Sequence, residues 1–439
     1  MTILISLYEY QDLAFSDLPE NARSLFEDSN FVNGLTRFIS KTKLISTDFQ
    51  ESNSSPISIN YKGIHTTSFV GVIKYKNIQI EILPKLLKNS VSQQEEILDK
   101  DKQQILKNLL FMLSYTKRLK LKTNELANLS ASDNVFLEAL IRIFATELFG
   151  ALKRFLPKSY IHISDNMNFV KGRINIQKNI KHNYANRAKF FCEFDEFSEN
   201  NPLNQLFLYV ASNLNNITRD HTNKKILLSI INNYSEIDFV RFYPKDLIHI
   251  NLTRNQSIFK TAFILAKMFI EHTSVDMSKN KFDNITLFWD MNKLFEEFVY
   301  QVLKNKCDSI EVEFQRHKHL LEDYGRDTSV DIFMSHPRKV IIDTKYKQFK
   351  TISDFSNADV FQVSTYCLLH NTKEAILIYP QWENTQTAKI NRDCKLNPPE
   401  KDTPEKDKRK IKFCTVNLHR DLKTEIDTLA KDLTNILVS

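Results

Sequence analysis

Two short apolar segments of this chain each carry one acidic residue, and the second adds a lysine two positions later. The first segment, residues 329–333, contains Asp331, and the second, residues 340–346, contains Asp343 and Lys345. In an extended strand, residues i and i+2 point to the same side, so Asp343 and Lys345 share a face. If Asp331 reaches the same place from a neighbouring strand, two carboxylates and an ammonium group converge. Such a set can hold a hard divalent cation through its carboxylate oxygens while the lysine faces a phosphate or an attacking water.

An acid followed two positions later by a lysine is a common pattern, and a simpler interpretation stays open. The same triplet recurs at residues 421–423, where the surrounding apolar residues follow a helical spacing and predict a solvated helix face. Likewise, Asp331, Asp343 and Lys345 are compatible with an ordinary hairpin whose acids and lysine form a salt bridge. The elements that flank the two strands therefore decide how the triplet is interpreted.

A helix is predicted ahead of the two strands, over residues 288–303. Its apolar residues recur at helical spacing and define a buried stripe. Glu296 and Glu297 lie at the margin of that stripe. An acidic helix therefore precedes the two acidic strands.

A second helix and a further strand are predicted after the pair. Residues 355–369 have amphipathic spacing, and on this helix Gln362 and Tyr366 stand four apart, hence on one face. Residues 375–379 form another apolar strand. The resulting order is helix with Glu, strand with Asp, strand with Asp-x-Lys, helix with Gln-xxx-Tyr, and strand. This order resembles the core of the PD-(D/E)XK nuclease superfamily, including its Gln-xxx-Tyr variety.

Short motifs follow one another along the rest of the chain, at residues 71–73 with 80–85, 171–174, 199–205, 290–296 and 343–347. In type and order they resemble the motifs of the McrC family, the endonuclease subunits of modification-dependent restriction systems. One departure is that Val330 stands before Asp331, where the superfamily name implies proline. That proline supplies geometry and no ligand, so its absence is tolerable.

The resemblance implies a metal-dependent DNA endonuclease and assigns roles to the strand residues. Asp331 and Asp343 would bind Mg²⁺, which Mn²⁺ is expected to replace, and the backbone carbonyl of Thr344 would complete the set. Lys345 would orient or activate water and stabilise the charge that develops on the phosphate. Magnesium demands near-octahedral oxygen ligands, so the loss of one carboxylate should abolish the site.

The helix residues receive supporting roles from the same resemblance. Glu296 would assist the catalytic set from the first helix, with Glu297 the less favoured choice. Gln362 and Tyr366 would position the acids or the DNA backbone. All four are therefore candidate site residues.

The resemblance also implies a partner, a hexameric McrB-like AAA+ GTPase whose activity the chain stimulates, and double-stranded DNA as the substrate, with or without modified bases. The chain has only six glycines, and no Walker A loop or dinucleotide fingerprint can be written with them. We therefore expect the chain to bind no nucleotide itself, so that nucleotide hydrolysis belongs to another polypeptide.

Composition is consistent with this interpretation. A length of 439 residues allows two or three domains with sizeable cores, and the formal net charge of +7 permits contact with DNA without proving it. Five cysteines without a Cys-x-x-Cys pair favour a reducing cytosol and argue against a structural zinc site. The most apolar helix candidates are interrupted by charges, so we expect a cytoplasmic protein without a membrane span.

The fold class predicted is multidomain α+β, in three regions. Residues 1–95 alternate in short segments and predict a β-rich N-terminal domain. Residues 96–280 predict a mainly helical middle region, to which we assign partner docking. Residues 281–439 would hold the C-terminal α/β PD-(D/E)XK core and a closing amphipathic helix.

Residues 161–197 interleave cations with aromatic rings. The cations include Lys171, Arg173, Lys178 and Lys181. Such a pattern can bind phosphates and stack bases, or it can enter an acidic protein channel. A β-hairpin that packs its aromatic rings inward and exposes its lysines explains it equally well. Resemblance to McrC implies a projecting element that enters the central pore of the partner, and we assign it to this segment or to the N-terminal region.

Two other functions stay open. One is a stand-alone DNA-processing nuclease of the same superfamily, which cleavage without any NTPase would reveal. The other is a non-catalytic adaptor that keeps the nuclease fold to bind DNA or to activate the partner NTPase. The intact Asp331, Asp343 and Lys345 speak against the adaptor.

Overall fold

The computed structural model of the chain describes residues 2–40, 55–85, 99–119, 135–276, 281–321, 326–381, 390–396 and 409–438. Internal contacts divide the chain into two compact units, of which unit 1 comprises Met1–Phe136 with Thr286–Ser439 and unit 2 comprises Leu137–Ile285. Within the described residues, no helix combines the length and hydropathy that crossing a lipid bilayer requires. The three regions predicted from the sequence stay a prediction, because a division into compact units assigns no role to any segment.

The N-terminal part of unit 1 contains small sheets and helices. In chain order its elements are β1 (Ile3–Tyr8), β2 (Asp12–Ala14), α1 (Glu20–Glu27), α2 (Ser29–Ser40), β3 (Ile57–Ile59), β4 (Gly63–Thr66), β5 (Phe69–Tyr75), β6 (Ile78–Leu83) and α3 (Asp99–Tyr115). Strand β1 runs parallel to β6, which pairs antiparallel with β5. Helices α1 and α2 were not predicted from the sequence. On α2, Phe31, Leu35 and Ile39 recur every four residues and join the core of the sheet.

Unit 2 combines helices with a small antiparallel sheet. Its elements are α4 (Phe136–Leu152), β7 (Ser159–Met167), β8 (Arg173–Ile174), α5 (Ile176–Asn183), β9 (Phe190–Ser198), α6 (Pro202–Ile217), α7 (His221–Asn233), α8 (Lys260–Glu271) and β10 (Thr273–Asp276). The sheet has the order β7-β9-β8, and we call it, together with α5, the β7–β9 module.

The motif at residues 199–205 fastens the base of the β7–β9 module to α6. Asn201 caps α6 by accepting a hydrogen bond from N of Asn204 (3.2 Å). The side-chain amides of Asn201 and Asn204 both donate to the carbonyl oxygen of Pro157, at 2.9 and 2.8 Å. Pro157 lies just before β7, so this motif has a structural purpose.

The C-terminal part of unit 1 is built on a mixed sheet. Its elements are β11 (Lys281–Asp290), which begins in unit 2, α9 (Met291–Lys306), β12 (Glu311–Leu321), β13 (Arg326–His336), β14 (Val340–Thr344), α10 (Asn357–Leu369), β15 (Glu374–Pro380), β16 (Asn391–Lys395), β17 (Lys410–Val416) and α11 (Ile426–Val438). The sheet has the order β12-β13-β14-β15-β17-β16. The α+β fold class is therefore confirmed, and so are the helices and strands predicted around the acidic pair.

Two glycines explain why two of the motifs need this residue. Gly71 on β5 has a φ of +143°, and a Cβ there would lie 1.9 Å from the carbonyl oxygen of Leu287 on β11. Gly172, just before β8, has a φ of +71°, and its Cβ would lie 2.5 Å from the carbonyl oxygen of Glu193. Only glycine permits these backbone approaches. The glycines of the motifs at 71–73 and 171–174 therefore have structural roles.

Candidate active site

The register of the sheet places the two aspartates side by side. Ile332 on β13 pairs antiparallel with Ile342 on β14, so one step further along Asp331 lies opposite Asp343 on the same face. Oδ2 of Asp331 accepts hydrogen bonds from N (2.8 Å) and Oγ1 (3.1 Å) of Thr344. The structure thus brings both predicted acids to the end of β14.

Asp343 is a fully buried carboxylate that forms an ion pair with Lys345. Its Oδ2 lies 2.7 Å from Nζ of Lys345, while its Oδ1 has no hydrogen-bond donor among the described residues. Burial, and then repulsion from Asp331, raises the pKa of Asp343 to about 7. Burial also raises the pKa of Asp331, against the hydrogen bonds from Thr344 that lower it. Two buried carboxylates at neighbouring positions are costly to ionise together, and the pKa values of both stay raised although Lys345 attracts them.

Lys345 is held by α10 as well as by Asp343. Its Nζ donates to Oε1 of Gln362 (3.0 Å), and Nε2 of Gln362 donates to Oη of Tyr366 (2.8 Å). Burial lowers the pKa of Lys345, but attraction to the aspartates outweighs burial and leaves the pKa raised. Lys345 is therefore a fixed cation and not a proton acceptor near neutral pH.

The two glutamates of α9 have different surroundings. Glu297 forms a bidentate ion pair with Arg118, at 2.6 and 2.7 Å, which occupies both of its oxygens. Oε1 of Glu296 accepts a hydrogen bond from Nε2 of Gln315 (3.2 Å). Burial, and then repulsion from Asp331, raises the pKa of Glu296 to about 8, so it is mostly protonated at neutral pH. Glu296 therefore lies close enough to Asp331 for their charges to interact, whereas Glu297 is paired with Arg118.

Gln315 is a site neighbour that the sequence analysis missed. It lies on β12 opposite Asp331, between the pairs Phe314–Ile332 and Arg316–Val330. Its φ of +47° lies in the left-handed region, which is uncommon for a residue other than glycine. Backbone strain of this kind is often found at functional sites. No local sequence signal marks such a conformation.

A second cation accompanies Lys345. Lys347 pairs with Oδ2 of Asp359 on α10, and Oη of Tyr379 on β15 donates to the same oxygen (3.2 Å). Asp359 stands three residues before Gln362 on α10, and this helical spacing was a signal that could have found it. Lys347, Asp359 and Tyr379 were missed by the sequence analysis.

The triplet at 421–423 is not part of this site, although the prediction of a helix face there was wrong. It lies in the turn before α11, and Leu422 is fully buried. Oδ1 of Asp421 accepts hydrogen bonds from N of Lys423 (3.0 Å) and N of Thr424 (3.3 Å). The apolar spacing of α11 continues through Leu422 across this turn, which is why the pattern looked helical.

The carboxylate oxygens of Asp331 and Asp343 are of the type that a hard divalent cation prefers. No group of three or more His, Cys, Asp or Glu side chains converges on a metal position among the described residues. Two carboxylates do converge, and the buried Oδ1 of Asp343 lacks any donor there, which is a position that a cation can fill. Mg²⁺ typically takes one or two carboxylates and keeps several waters, so the carboxylates of Asp331 and Asp343 fit it.

The β7–β9 module carries the four cations singled out from the sequence, and two of them are already paired. Nζ of Lys171 lies 3.1 Å from Oε2 of Glu196. Nζ of Lys178 lies 3.6 Å from Oε1 of Glu193. The module therefore satisfies part of its own positive charge.

The other two cations and several rings of the β7–β9 module face solvent. Arg173 and Lys181 are exposed and form no ion pair among the described residues. Phe169 is 59% exposed and Tyr184 is 85% exposed. Aromatic packing inward therefore does not describe the whole segment, and the exposed rings and cations are available to a ligand or partner.

Three comparisons relate this geometry to known proteins. A family model described as McrBC 5-methylcytosine restriction system component matches residues 64–380. A chain in a half-complex from a tetradecameric assembly of Thermococcus gammatolerans McrB AAA+ hexamers with bound McrC is 20% identical, with a TM-score of 0.73 and coverage of 99% of this chain and 100% of that chain. A chain in the cryo-EM structure of the Thermococcus gammatolerans McrBC complex is 21% identical, with a TM-score of 0.50 and coverage of 69% of this chain and 88% of that chain. No curated protein matches significantly. At these identities, the solved structures show a shared fold alone.

Proposed function

This chain belongs to the family of McrBC 5-methylcytosine restriction system components, and we propose that it is the subunit that cuts DNA in such a system. The observation that carries the proposal is the meeting of Asp331, Asp343 and Lys345 at the end of β14, with one oxygen of Asp343 lacking a donor among the described residues. A bound divalent cation would act there as the Lewis acid for phosphodiester hydrolysis.

The strand residues divide the chemistry between them. Asp331 and Asp343, with the backbone carbonyl of Thr344, would hold Mg²⁺ or Mn²⁺. The N–H and hydroxyl of Thr344 orient Asp331. Lys345, kept cationic by Asp343, faces the scissile phosphate and stabilises its developing charge.

The helix residues position this set. Gln362 accepts from Lys345 and is itself fixed by Tyr366, so the ammonium has one orientation. Glu296, whose pKa burial and then repulsion from Asp331 raise to about 8, supports the same region from α9. Glu297 serves the fold through its ion pair with Arg118.

We further propose that the chain acts with a hexameric AAA+ GTPase partner. The similar chain that is covered over its whole length comes from a structure described as McrB AAA+ hexamers with bound McrC, which supports this partner. The exposed rings and cations of the β7–β9 module support it as the docking element. Nucleotide hydrolysis then belongs to the partner, and double-stranded DNA, with 5-methylcytosine the first modification to test, is the substrate.

Reconstituted cleavage tests this function. The chain, an McrB-like hexamer, GTP and methylated plasmid DNA should give double-strand breaks with Mg²⁺ or Mn²⁺ and none with EDTA. Cleavage by the chain without the hexamer would identify a stand-alone nuclease. Stimulated GTP turnover without cleavage under any metal condition would identify an adaptor. A buried carboxylate oxygen without a donor costs stability and has no evident use in an adaptor, which is why cleavage is the expected result.

The pairing pattern of the β7–β9 module predicts which cations bind the partner. Replacing Arg173 and Lys181 together by alanine should weaken binding to the hexamer about tenfold or more, which is ~1.4 kcal/mol. Replacing Lys171 and Lys178 together should have a smaller effect, because acidic neighbours already pair with them. Affinity is measured by calorimetry, and by the rate of GTP turnover when the concentration of this chain is limiting.

These two double variants control for each other, because they remove the same charge from one module. Equal losses in both would mean that only net charge matters. Wild-type binding in both would remove the module as the docking element and leave the N-terminal region.

A further inference from the structure

A buried carboxylate near the start of the chain reaches the turn that follows the catalytic lysine. Glu9 follows β1 directly and is fully buried. Its Oε1 accepts a hydrogen bond from Oη of Tyr346 (2.8 Å), a residue 337 positions away. N of Lys85 donates to the same oxygen (2.8 Å). The ends of β1 and β6 thus hold Glu9 against the C-terminal part of unit 1.

Tyr346 occupies a central place in this turn. It stands between Lys345 and Lys347 in the chain, and N of Lys347 donates to the carbonyl oxygen of Lys345 (3.0 Å). Its ring packs against Phe295 with a centroid separation of 5.8 Å. Phe295 precedes Glu296, so Tyr346, which directly follows Lys345 in the chain, packs against the residue before Glu296.

The position of this turn decides the geometry of Lys345. N of Lys345 is fixed to the carbonyl oxygen of Ile378 (2.9 Å), and its Nζ must satisfy Asp343 and Gln362 together. Catalytic groups need placement within about 0.5 Å, and a misplacement of about 1 Å can cost about a hundredfold in rate. A hydrogen bond that anchors the next residue therefore bears directly on the rate.

We propose that the hydrogen bond from Tyr346 to Glu9 is a positioning contact for the nuclease site, so that cleavage depends on one residue of the N-terminal part of unit 1. Neither residue touches the reacting atoms; both act through Lys345. The inference rests on the proposed function and deepens it by naming a residue outside residues 281–439 on which cleavage depends.

Removing the hydroxyl alone tests the contact in the complete, partner-bound protein. Tyr346→Phe keeps the ring against Phe295 and should lower kcat for DNA cleavage about 10- to 100-fold, with KM for DNA and partner affinity unchanged. Glu9→Gln keeps an acceptor oxygen and should be milder, whereas Glu9→Ala should match or exceed Tyr346→Phe. Hydrogen exchange of a peptide that spans residues 343–347 should speed up in Tyr346→Phe, and this readout does not depend on cleavage.

Glu81 supplies a matched control, because it is a second fully buried carboxylate of the same N-terminal sheet. It is satisfied by Lys102, by Ser6 (2.5 Å) and by N of Phe136 (3.2 Å), away from Tyr346. Glu81→Gln should lower the melting temperature without changing kcat per folded molecule or exchange at 343–347. Wild-type kcat in Tyr346→Phe, or a loss no larger than that of Glu81→Gln, would overturn the proposal. A wild-type complex that cuts no DNA would instead overturn the proposed function, whatever the exchange result.

Discussion

Replacing Asp343 by asparagine is expected to lower DNA cleavage about a thousandfold while leaving the protein at least as stable as the wild type. Loss of a metal-binding carboxylate removes several kcal/mol of charge stabilisation from the transition state, and about 4 kcal/mol corresponds to that factor. Stability should hold because Asp343 is buried with a pKa raised to about 7, so a neutral amide of the same shape relieves a desolvation cost. Cleavage rate and melting temperature measure the two effects.

Two further variants complete this test. Lys345→Met should be equally inactive but less stable, because it leaves the carboxylate of Asp343 without its cation. Asp421→Asn, in the other acid-x-lysine triplet, should cut DNA at the wild-type rate, because the Asp421 carboxylate accepts backbone hydrogen bonds in the turn before α11, outside the candidate site. Wild-type cleavage by Asp343→Asn or Lys345→Met would remove the assigned site.

Replacing Gly71 by alanine should destabilise the protein severely, on the order of 4 kcal/mol or more in the free energy of unfolding. The new Cβ would lie 1.9 Å from the carbonyl oxygen of Leu287, and the φ of +143° disfavours any side chain. Both clashing atoms belong to neighbouring strands, so neither can move without breaking the sheet. Urea denaturation and soluble yield measure the effect.

Gly150 offers a matched alanine substitution with the opposite sign. It lies in α4, and a Cβ there would meet no atom within 4 Å. Gly150→Ala should therefore stabilise the protein by about 0.5–1 kcal/mol through helix propensity. If the Gly71→Ala protein were as stable as Gly150→Ala, β5 would have to lie far enough from β11 to accommodate a Cβ atom.

In several motifs that resemble those of the family, residues stabilise the backbone. Gly71 and Gly172 permit close strand approaches. Asn201 and Asn204 fasten α6 to the carbonyl of Pro157. Among these motifs, the one at 343–347 supplies Asp343, Thr344 and Lys345 of the candidate site, and the one at 290–296 supplies Glu296. A motif can therefore mark a family faithfully without marking its chemistry.

The sequence by itself determined what depends on local periodicity. Alternation with period two put Asp343 and Lys345 on one side of a strand, and spacing of four put Gln362 and Tyr366 on one side of a helix. These relations hold within one element whatever it packs against. The order of helices and strands around the acidic pair was predictable for the same reason.

Only the tertiary structure decided the relations between distant segments. The choice between Glu296 and Glu297 depends on Arg118, which lies 179 residues from Glu297 and pairs with it. The left-handed Gln315 and the contact of Glu9 with Tyr346 depend on strand register and on how the N-terminal sheet packs in unit 1. Register and packing are set by the summed burial of many side chains, and no local pattern around any one of these residues encodes that sum.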